Sequence, residues 1–159
     1  MNRLSMSNIL TAVTGRRTAR RTASWWLSPD LSSVGEARRL TREKLTDWGF
    51  DDQAEVAELL VSELAGNALD HAYGRVRLSF SAEDGLLRGE IEDEDPELPR
   101  MRVVDADAER GRGLFLVDML SCCWGGVRTD RGKAIWFELP AFAHAEPGSP
   151  VDTLAPIAA

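Results

Sequence analysis

Two segments of the chain have apolar residues at helical spacing. The first starts at Ser33, where the letters SVGE have the S-x-x-E form of a capping box. Its apolar residues then recur at spacings typical of one helix face: Val34, Ala37, Leu40, Leu45 and Trp48. This pattern predicts a helix that ends at Gly49. A second helix is predicted from Asp52 to the glycine stop at Gly74.

Alternating apolar and polar residues in the second half of the chain predict two antiparallel hairpins. The turn of the first hairpin is predicted at Glu83–Gly85. Its strands carry two alternating sets, which are Val76, Leu78 and Phe80 and then Leu87, Gly89 and Ile91. The second hairpin is predicted from Val127–Thr129 and Ala134–Leu139, around a turn at Asp130–Lys133.

The two ends of the chain differ in composition from the body. Residues 1–24 are polar and small, with five arginines and no acidic residue. This composition predicts a flexible basic arm that is either solvated or steers an acidic partner. Residues 141–159 carry Pro147, Pro150 and Pro156 among alanine and glycine, which predicts a flexible C-terminal tail. Residues 25–140 are predicted to form one domain.

The charge of the chain disfavours direct binding of nucleic acid by the folded part. Nineteen Lys and Arg residues against 26 Asp and Glu residues give a net charge of -7. Outside residues 1–24 the chain has 14 basic residues against 26 acidic ones, a net charge of -12. A surface that coats phosphates needs the opposite sign.

The sequence also predicts a protein without a membrane segment. No apolar run approaches the roughly 20 residues that a helix needs to cross a bilayer. The N-terminal residues lack the basic-then-apolar order of a signal peptide. We therefore expect a cytoplasmic location.

Two adjacent cysteines, Cys122 and Cys123, lie in an apolar stretch. Neighbouring cysteines do not have the Cα separation that a disulfide requires. The two histidines, His71 and His144, do not complete a zinc site with them at the usual ligand spacing. We therefore expect buried, reduced thiols.

The predicted second helix carries three polar residues in line. At about 100° per residue, Glu63 points into an apolar stripe, and Asn67 and His71 follow it at one-turn intervals. The stripe consists of Val56, Leu59, Leu60 and Leu64. Burying a carboxylate and an amide without partners costs several kcal/mol. The pattern therefore predicts either a pocket for a ligand, metal or water, or a helix end that emerges into solvent.

A long loop with a glycine-flanked exit separates the two hairpins. The acidic letters EIEDEDP are followed by a loop of about 15 residues, which is either solvated or long enough to have a binding role. Gly111, Arg112 and Gly113 then precede an apolar run from Leu114. Backbone amides at a helix N-terminus attract anions. The glycines therefore predict either a phosphate site or a tight turn that needs glycine for steric reasons.

Four motifs in this order resemble those of the GHKL (gyrase, histidine kinase, MutL) ATP-binding family. They are LVSELAGNALDHA at residues 60–72, IED at 91–93 with its proline-containing loop, GRGLFLV at 111–117 and GKAIWFEL at 132–139. The resemblance covers about residues 25–140 and is greatest to the anti-sigma-factor serine/threonine kinases and related ATP-binding regulators of actinobacteria. It implies an α/β (α+β) two-layer sandwich of the Bergerat type, with a mixed, mostly antiparallel sheet and helices on one face.

The resemblance implies ATP and Mg²⁺ as ligands and gives roles to individual residues. Glu63 would be the general base, and Asn67 would offer its amide oxygen to Mg²⁺. Asp93 would accept a hydrogen bond from the adenine amino group, and the long acidic loop would be the ATP lid. The further nucleotide-binding residues that it implies are His71, Gly111, Arg112, Gly113, Leu114 and Lys133. Lys133 would neutralise phosphate charge, unless it is a solvated lysine of the hairpin.

Two positions depart from the pattern of this family. Asp95 stands where glycine is common, so we expect an altered turn beneath the adenine. Ala134 stands where threonine is frequent, so we expect the nucleotide pocket to lack one hydroxyl contact. Both departures imply weaker affinity for ATP.

The resemblance implies a serine/threonine-protein kinase that regulates transcription as an anti-sigma factor. Its substrate would be a serine of a STAS-type anti-sigma antagonist, its second partner a sigma factor, and a homodimer is plausible for the family. The alternative is a non-catalytic binding module that ATP switches between shapes. A structural domain with a vestigial pocket is a third interpretation, which Asp95 and Ala134 favour. A histidine kinase is disfavoured because His71 lies inside the nucleotide-binding region.

Overall fold

The computed structural model describes residues 19–70, 74–95 and 112–141, except for the side chains of residues 112–114. The elements in these ranges are β1 (Arg21–Leu27), α1 (Ser33–Asp47), α2 (Asp51–Asp70), β2 (Val76–Glu83), β3 (Leu86–Asp93), α3 (Arg112–Leu120), β4 (Cys123–Arg128) and β5 (Lys133–Pro140). Both predicted hairpins and the predicted helices are therefore present. None of these helices is long and apolar enough to cross a membrane.

The strands form one sheet in the order β1-β2-β3-β5-β4, and each neighbouring pair is antiparallel. The first hairpin turns at Asp84 and Gly85, with φ angles of 52° and 77°. Positive φ at both central residues is typical of a type I′ turn, which Asp-Gly favours because its twist matches that of the strands. Because β3 pairs with β5, the end of β3 lies beside the start of β5.

Helices α1 and α2 cover one face of the sheet and share a single apolar core with it. Leu60, Val61 and Leu64 of α2 belong to this core. The strand residues in it alternate along each strand, as one buried face requires: Val76, Leu78, Phe80 and Ala82, then Leu87 and Ile91, then Ile135, Phe137 and Leu139. The predicted two-layer sandwich with helices on one face is confirmed.

The two ends of α1 differ in how well the sequence predicted them. The helix starts at Ser33, but the capping box is wrong: Ser32 is the N-cap and makes no side-chain capping bond. The Ser33 hydroxyl instead donates to the Ser28 carbonyl oxygen at 2.8 Å. At the other end, Gly49 has φ 80° and the Phe50 N–H donates to the Leu45 carbonyl oxygen at 2.7 Å. This is a Schellman motif, as the glycine stop predicted.

The buried face of α2 is displaced around the helix from the predicted stripe, with which it shares Leu60 and Leu64. It consists of Ala54, Ala57, Leu60, Val61, Leu64, Ala65, Ala68 and Leu69. Leu59 of the predicted stripe is 41% exposed. The small alanine side chains let the helix approach its neighbours closely. A stripe that is defined by the large apolar residues alone is therefore displaced around the helix from the buried face.

The predicted boundary of the N-terminal arm is wrong by at least four residues. Residues 21–24, which the composition assigns to the arm, lie in β1 and pair with β2. The alternation of Ala23, Trp25 and Leu27 on the core side explains this strand. Residues 1–18 and 142–159 lie outside the described residues, so a flexible arm and tail there stay predictions.

The expectation of buried cysteine thiols is also wrong. Cys122 is exposed and Cys123 is half-buried. Cys123 is the first residue of β4, which is at the end of the strand order of the sheet, and Cys122 directly precedes it. Partial burial raises the pKa of the Cys122 thiol, and the neighbouring Cys123 raises it further, so the unreactive thiol form is favoured.

Candidate functional site

An ion pair joins β3 to β5 where Asp93 and Lys133 face each other. The two residues are direct partners in the antiparallel register. Lys133 Nζ lies 3.0 Å from Asp93 Oδ1. Only 5% of Asp93 and 8% of Lys133 are exposed. A buried charge is tolerated when it is paired and hydrogen-bonded, so each of these residues makes the burial of the other possible.

A second carboxylate, that of Asp95, completes this arrangement. Lys133 Nζ lies 3.3 Å from Asp95 Oδ2 and 3.3 Å from the Asp95 carbonyl oxygen. The Asp95 backbone N–H in turn donates to Asp93 Oδ1 at 3.0 Å. The three N–H donors of a lysine ammonium thus match three nearby oxygen atoms. We refer to Asp93, Asp95 and Lys133 as the Asp-Lys cluster.

Gly132 makes the close approach of β5 to the cluster possible. A Cβ atom at this position would lie 2.2 Å from the Asp93 carbonyl oxygen and 2.6 Å from two backbone atoms of Glu94. The turn before it is closed by hydrogen bonds of 3.0 and 3.1 Å between Thr129 and Gly132. The glycine of the GK letters is therefore a steric requirement of this site, and the lysine that follows reaches Asp93.

The Asp-Lys cluster lies on the helix-covered side of the sheet. Asp93 is two residues beyond Ile91, and Lys133 is two residues before Ile135, so alternation puts both on the side of the core. The same side is covered by α2, which contacts β3 and β5. The cluster and the helix that carries Glu63 and Asn67 therefore belong to the same side of the sheet.

Glu63 and Asn67 are less buried than the sequence predicted. Glu63 is half-buried and Asn67 is exposed, and they follow each other by one turn of α2. They do not line the centre of the buried face, so the interpretation of a helix end that emerges into solvent describes Asn67. His71 lies outside the described residues, and its place at the pocket stays a prediction.

The glycine-flanked segment precedes α3 as predicted, since this helix starts at Arg112. Gly111 and the side chains of Arg112 and Leu114 lie outside the described residues, and so does the whole segment 96–111. The phosphate-binding role of Gly111, Arg112, Gly113 and Leu114 and the ATP-lid role of the acidic loop therefore stay predictions.

Within residues 115–120, the part of α3 whose side chains are described, only Val117 is buried. Val117 is fully buried, whereas Phe115 and Met119 are 51% and 62% exposed. Trp124 of β4 donates its indole N–H to Asp118 Oδ1 at 2.8 Å. These two contacts hold the end of the helix that is distant from the glycines.

The oxygen donors on α2 fit a magnesium ion that arrives with a nucleotide. Within the described ranges, no three His, Cys, Asp or Glu side chains come together as a metal site. The Asn67 amide and the Glu63 carboxylate offer oxygen atoms, which Mg²⁺ prefers. In nucleotide sites this ion takes its other ligands from phosphate and water. Asn67 would hold Mg²⁺ together with ATP and not as part of an all-protein cage, and Glu63 would stay free to act as the base.

The environments of three residues at the start of β5 and after the end of β3 differ from those predicted. Lys133 is not a solvated lysine, because it is buried in the Asp-Lys cluster. Asp95 departs from the family pattern in sequence, and in the structure its carboxylate is a partner of Lys133. Ala134 alternates with Lys133 and therefore lies on the side of the sheet away from the helices, where a hydroxyl would not reach the side of Asp93. The sequence contains these residues but not the register that brings them together.

Two polar grooves lie on the open face of the sheet, away from the helices. They measure about 360 and 250 Å³, and both include Arg20, Ser81, Arg88 and Glu90. Neither is lined by the Asp-Lys cluster, Glu63 or Asn67. The candidate site is therefore identified by its buried charges and not by the shape of the described surface.

Comparison with known families supports the same region. The sequence model of the histidine kinase-like ATPase domain matches residues 27–138, which is more than half of the chain. The chain belongs to this family. The match includes every predicted site residue from Glu63 to Lys133 and places the chain among the ATP-binding modules of the GHKL superfamily.

The family assignment rests on the family model, and comparison with individual proteins gives a distant structural neighbour. A solved histidine kinase domain, from the blue-light activated histidine kinase of Erythrobacter litoralis EL346, is 21% identical with a TM-score of 0.46. The alignment covers 70% of this chain and 60% of that one. Comparison with curated proteins gave no match.

Proposed function

We propose that this ATPase-family domain is a serine/threonine-protein kinase of the anti-sigma-factor type. It transfers the γ-phosphoryl group of ATP to a serine of a STAS-type anti-sigma antagonist and thereby regulates transcription through a sigma factor. The proposed setting is cytoplasmic, and a homodimer is its proposed assembly. The family match supports ATP binding, and the kinase activity and these partners are our proposal.

The buried Asp93 carboxylate is the observation that carries the proposal. It lies at the end of β3, on the helix-covered side, in a domain of an ATP-binding family. A carboxylate there accepts a hydrogen bond from the 6-amino group of adenine, whereas guanine presents a carbonyl oxygen that it would repel. Asp93 therefore favours ATP over GTP.

The proposed reaction needs one base and correct positioning. The substrate serine oxygen forms a bond with the γ-phosphorus, the bond from this phosphorus to the β,γ-bridging oxygen breaks, and ADP leaves with the electron pair. Glu63 accepts the proton of the serine hydroxyl. Such transfer depends mainly on positioning and electrostatic stabilisation, so a single base suffices.

Magnesium would neutralise the negative charge of the phosphates when it is bound with ATP. Asn67 would hold it through the amide oxygen, one helical turn from Glu63. Because Asn67 and Glu63 are one turn apart, a magnesium ion held by Asn67 would keep the γ-phosphoryl group near the base. The backbone amides at the start of α3 would bind the phosphate oxygens.

The test is a transfer assay with labelled ATP, Mg²⁺ and candidate STAS proteins. We expect label on a serine of the partner. A Glu63→Gln variant should bind Mg-ATP normally and lose transfer by about 100- to 10,000-fold, the usual contribution of a general base. The matched control is Glu55→Gln, an exposed glutamate on the same helix, which should keep full activity.

The variant Asn67→Ala tests the magnesium role separately. We expect it to weaken nucleotide binding in the presence of Mg²⁺ and to leave binding in its absence unchanged, as measured by calorimetry. Equal magnesium-dependent affinity in both proteins would contradict this role. Tight complex formation with a partner, but no label at any serine, would overturn the kinase and favour the non-catalytic nucleotide-switched module.

A further inference from the structure

The ammonium group of Lys133 makes its described contacts with the two aspartates of the Asp-Lys cluster. Oxygen atoms of Asp93 and Asp95 lie 3.0, 3.3 and 3.3 Å from Nζ, and a lysine ammonium has three N–H donors. One of these oxygens belongs to the Asp95 backbone, which does not rotate as a side chain does. The hydrogen bond to the Asp95 carbonyl oxygen and the two ion pairs direct the ammonium group toward the cluster.

The contacts described for the Asp93 carboxylate fall on one of its two oxygens. Oδ1 accepts a hydrogen bond from the Asp95 backbone N–H and forms an ion pair with Lys133 Nζ. These two donors fix the rotation of the carboxylate about its bond to Cβ, because they approach the same atom from β5 and from the turn after β3. Oδ2 is then the oxygen that remains for a donor supplied by a ligand.

We propose that Lys133 is a positioning residue for adenine recognition, with Asp95 as its second anchor. Lys133 turns Asp93 so that Oδ2 meets the 6-amino group, and it makes no contact with phosphate. This inference rests on the proposed function, since it assumes that the site takes ATP. It also gives Asp95 a role, because the carboxylate that replaces the usual glycine holds the lysine in place.

A lysine that merely competed with adenine for Asp93 would have the opposite effect on binding. The backbone contacts favour positioning over competition. Lys133 follows Gly132, which lies directly against the Asp93 and Glu94 backbone, and it pairs with Asp93 in the strand register. The lysine is therefore built into the sheet on the same side as Asp93, with little freedom to leave when a nucleotide enters.

The experiment compares ATP with ITP, which carries a carbonyl in place of the 6-amino group and a hydrogen on N1. Calorimetry on the full chain with Mg²⁺ gives the two dissociation constants and their ratio. In Lys133→Met we expect the ATP affinity to fall about tenfold, as for one lost hydrogen bond to a charged group. The ITP affinity should change by less than about twofold, since ITP does not make this bond.

Two further variants and a control accompany this measurement. Asp95→Asn keeps the size of the side chain and removes one charge next to Nζ, so we expect a smaller loss of ATP preference, about threefold. Asp93→Asn should abolish the preference. Lys44→Met is the matched control, because Lys44 is the other lysine of the chain and pairs with Asp47 in α1. It should leave both affinities unchanged.

The outcomes separate this inference from the proposed function. No Mg-ATP binding by the unaltered protein would overturn both. If the unaltered protein prefers ATP and Asp93→Asn removes the preference, three results overturn the positioning role alone. These are an unchanged ratio in Lys133→Met and Asp95→Asn, equal losses for ATP and ITP, and tighter ATP binding. A merely structural lysine would lower the folded fraction and leave the ratio unchanged.

Lysine acetylation followed by mass spectrometry tests the cluster without a nucleotide. Lys44 and Lys133 are the two lysines, so their rates can be compared within one sample. Lys133 should react more slowly than Lys44, because it is buried and paired. Asp95→Asn should raise the Lys133 rate and not the Lys44 rate. Equal rates at the two lysines of the unaltered protein would contradict the cluster.

Discussion

Glu92 and Asp93 are consecutive acidic residues of β3 that meet a basic residue on opposite faces of the sheet. Asp93 pairs with Lys133 of β5 on the helix-covered side, where the two side chains are 7% and 10% exposed. Glu92 pairs with Arg77 of β2 on the open side, where the Glu92 and Arg77 side chains are 12% and 38% exposed and Arg77 Nη2 lies 2.5 Å from Glu92 Oε2. The chemistry of the two pairs is similar, but their surroundings differ.

The comparison teaches that burial and not proximity decides what such a pair does. Water reaches Arg77 and screens the half-buried pair on the open face in part, so we expect its net contribution to stability to be the smaller of the two. The buried pair excludes water, so loss of one partner leaves a charge that nothing compensates. A charge held away from water is also available for selective recognition of a ligand. For this reason we assign the site to the side of Asp93.

The largest effect on the free energy of unfolding is expected when the buried lysine is removed. Lys133→Met retains the length of the side chain but leaves Asp93 and Asp95 without their shared cation. We expect the free energy of unfolding to fall by about 3–5 kcal/mol, as for other broken buried pairs. Urea denaturation followed by circular dichroism measures it. A change below about 1 kcal/mol would show that Asp93 is solvated like a surface carboxylate.

A smaller effect is expected when the cluster is displaced but its charges remain. Gly132→Ala places a Cβ against the Asp93 and Glu94 backbone, so β5 and the end of β3 must separate. We expect a cost of about 1–3 kcal/mol by denaturation. Gly35→Ala is the control, because nothing lies within 4 Å of a Cβ there. Equal stability of the two variants would contradict the close approach.

The smallest effect is expected on the open face. Arg77→Met removes the pair with Glu92 and a cation-π contact with Trp26, whose ring centroid lies 5.6 Å from the guanidinium carbon. Among the described residues, Arg77 Nε is a buried donor without a partner, so the substitution also removes an unsatisfied group. We expect a loss below about 1 kcal/mol and unchanged ATP affinity. If Arg77→Met lowered the free energy of unfolding as much as Lys133→Met does, the proposed difference between the two faces of the sheet would be wrong.

Much of the fold was predictable because local signals agree with it. The Asp-Gly turn, the glycine stop at Gly49 and the strand alternation of the hairpins each require only a few neighbouring residues. The errors occurred where a short segment depends on distant partners. The first residues of β1 lie in the basic segment whose composition predicts an arm, and they form a strand against β2. Strand β4 starts at Cys123 and not at Val127 as predicted, because it pairs with β5 from there.

The site was predictable as a set of residues and not as an arrangement. Asp93 and Lys133 were both named, but the sequence could not show that they form one pair. Glu63 is predicted to point inward, but the buried face of α2 is centred elsewhere on the helix. Four of its eight buried residues are alanines, which contribute little to a hydrophobic pattern. The roles of Glu63, Asn67 and the glycines before α3 stay predictions that the proposed experiments test.

The sequence by itself determined the family, the order of the helices and strands, and the residue types that ATP chemistry needs. These properties depend on local spacing and on motifs, which a linear pattern retains. Only the tertiary structure decided that β5 lies beside β3 and that Asp95 shares Lys133 with Asp93. Forty residues separate Asp93 from Lys133 in the chain. Their contact depends on strand pairing and burial, because these alone exclude water from the charges.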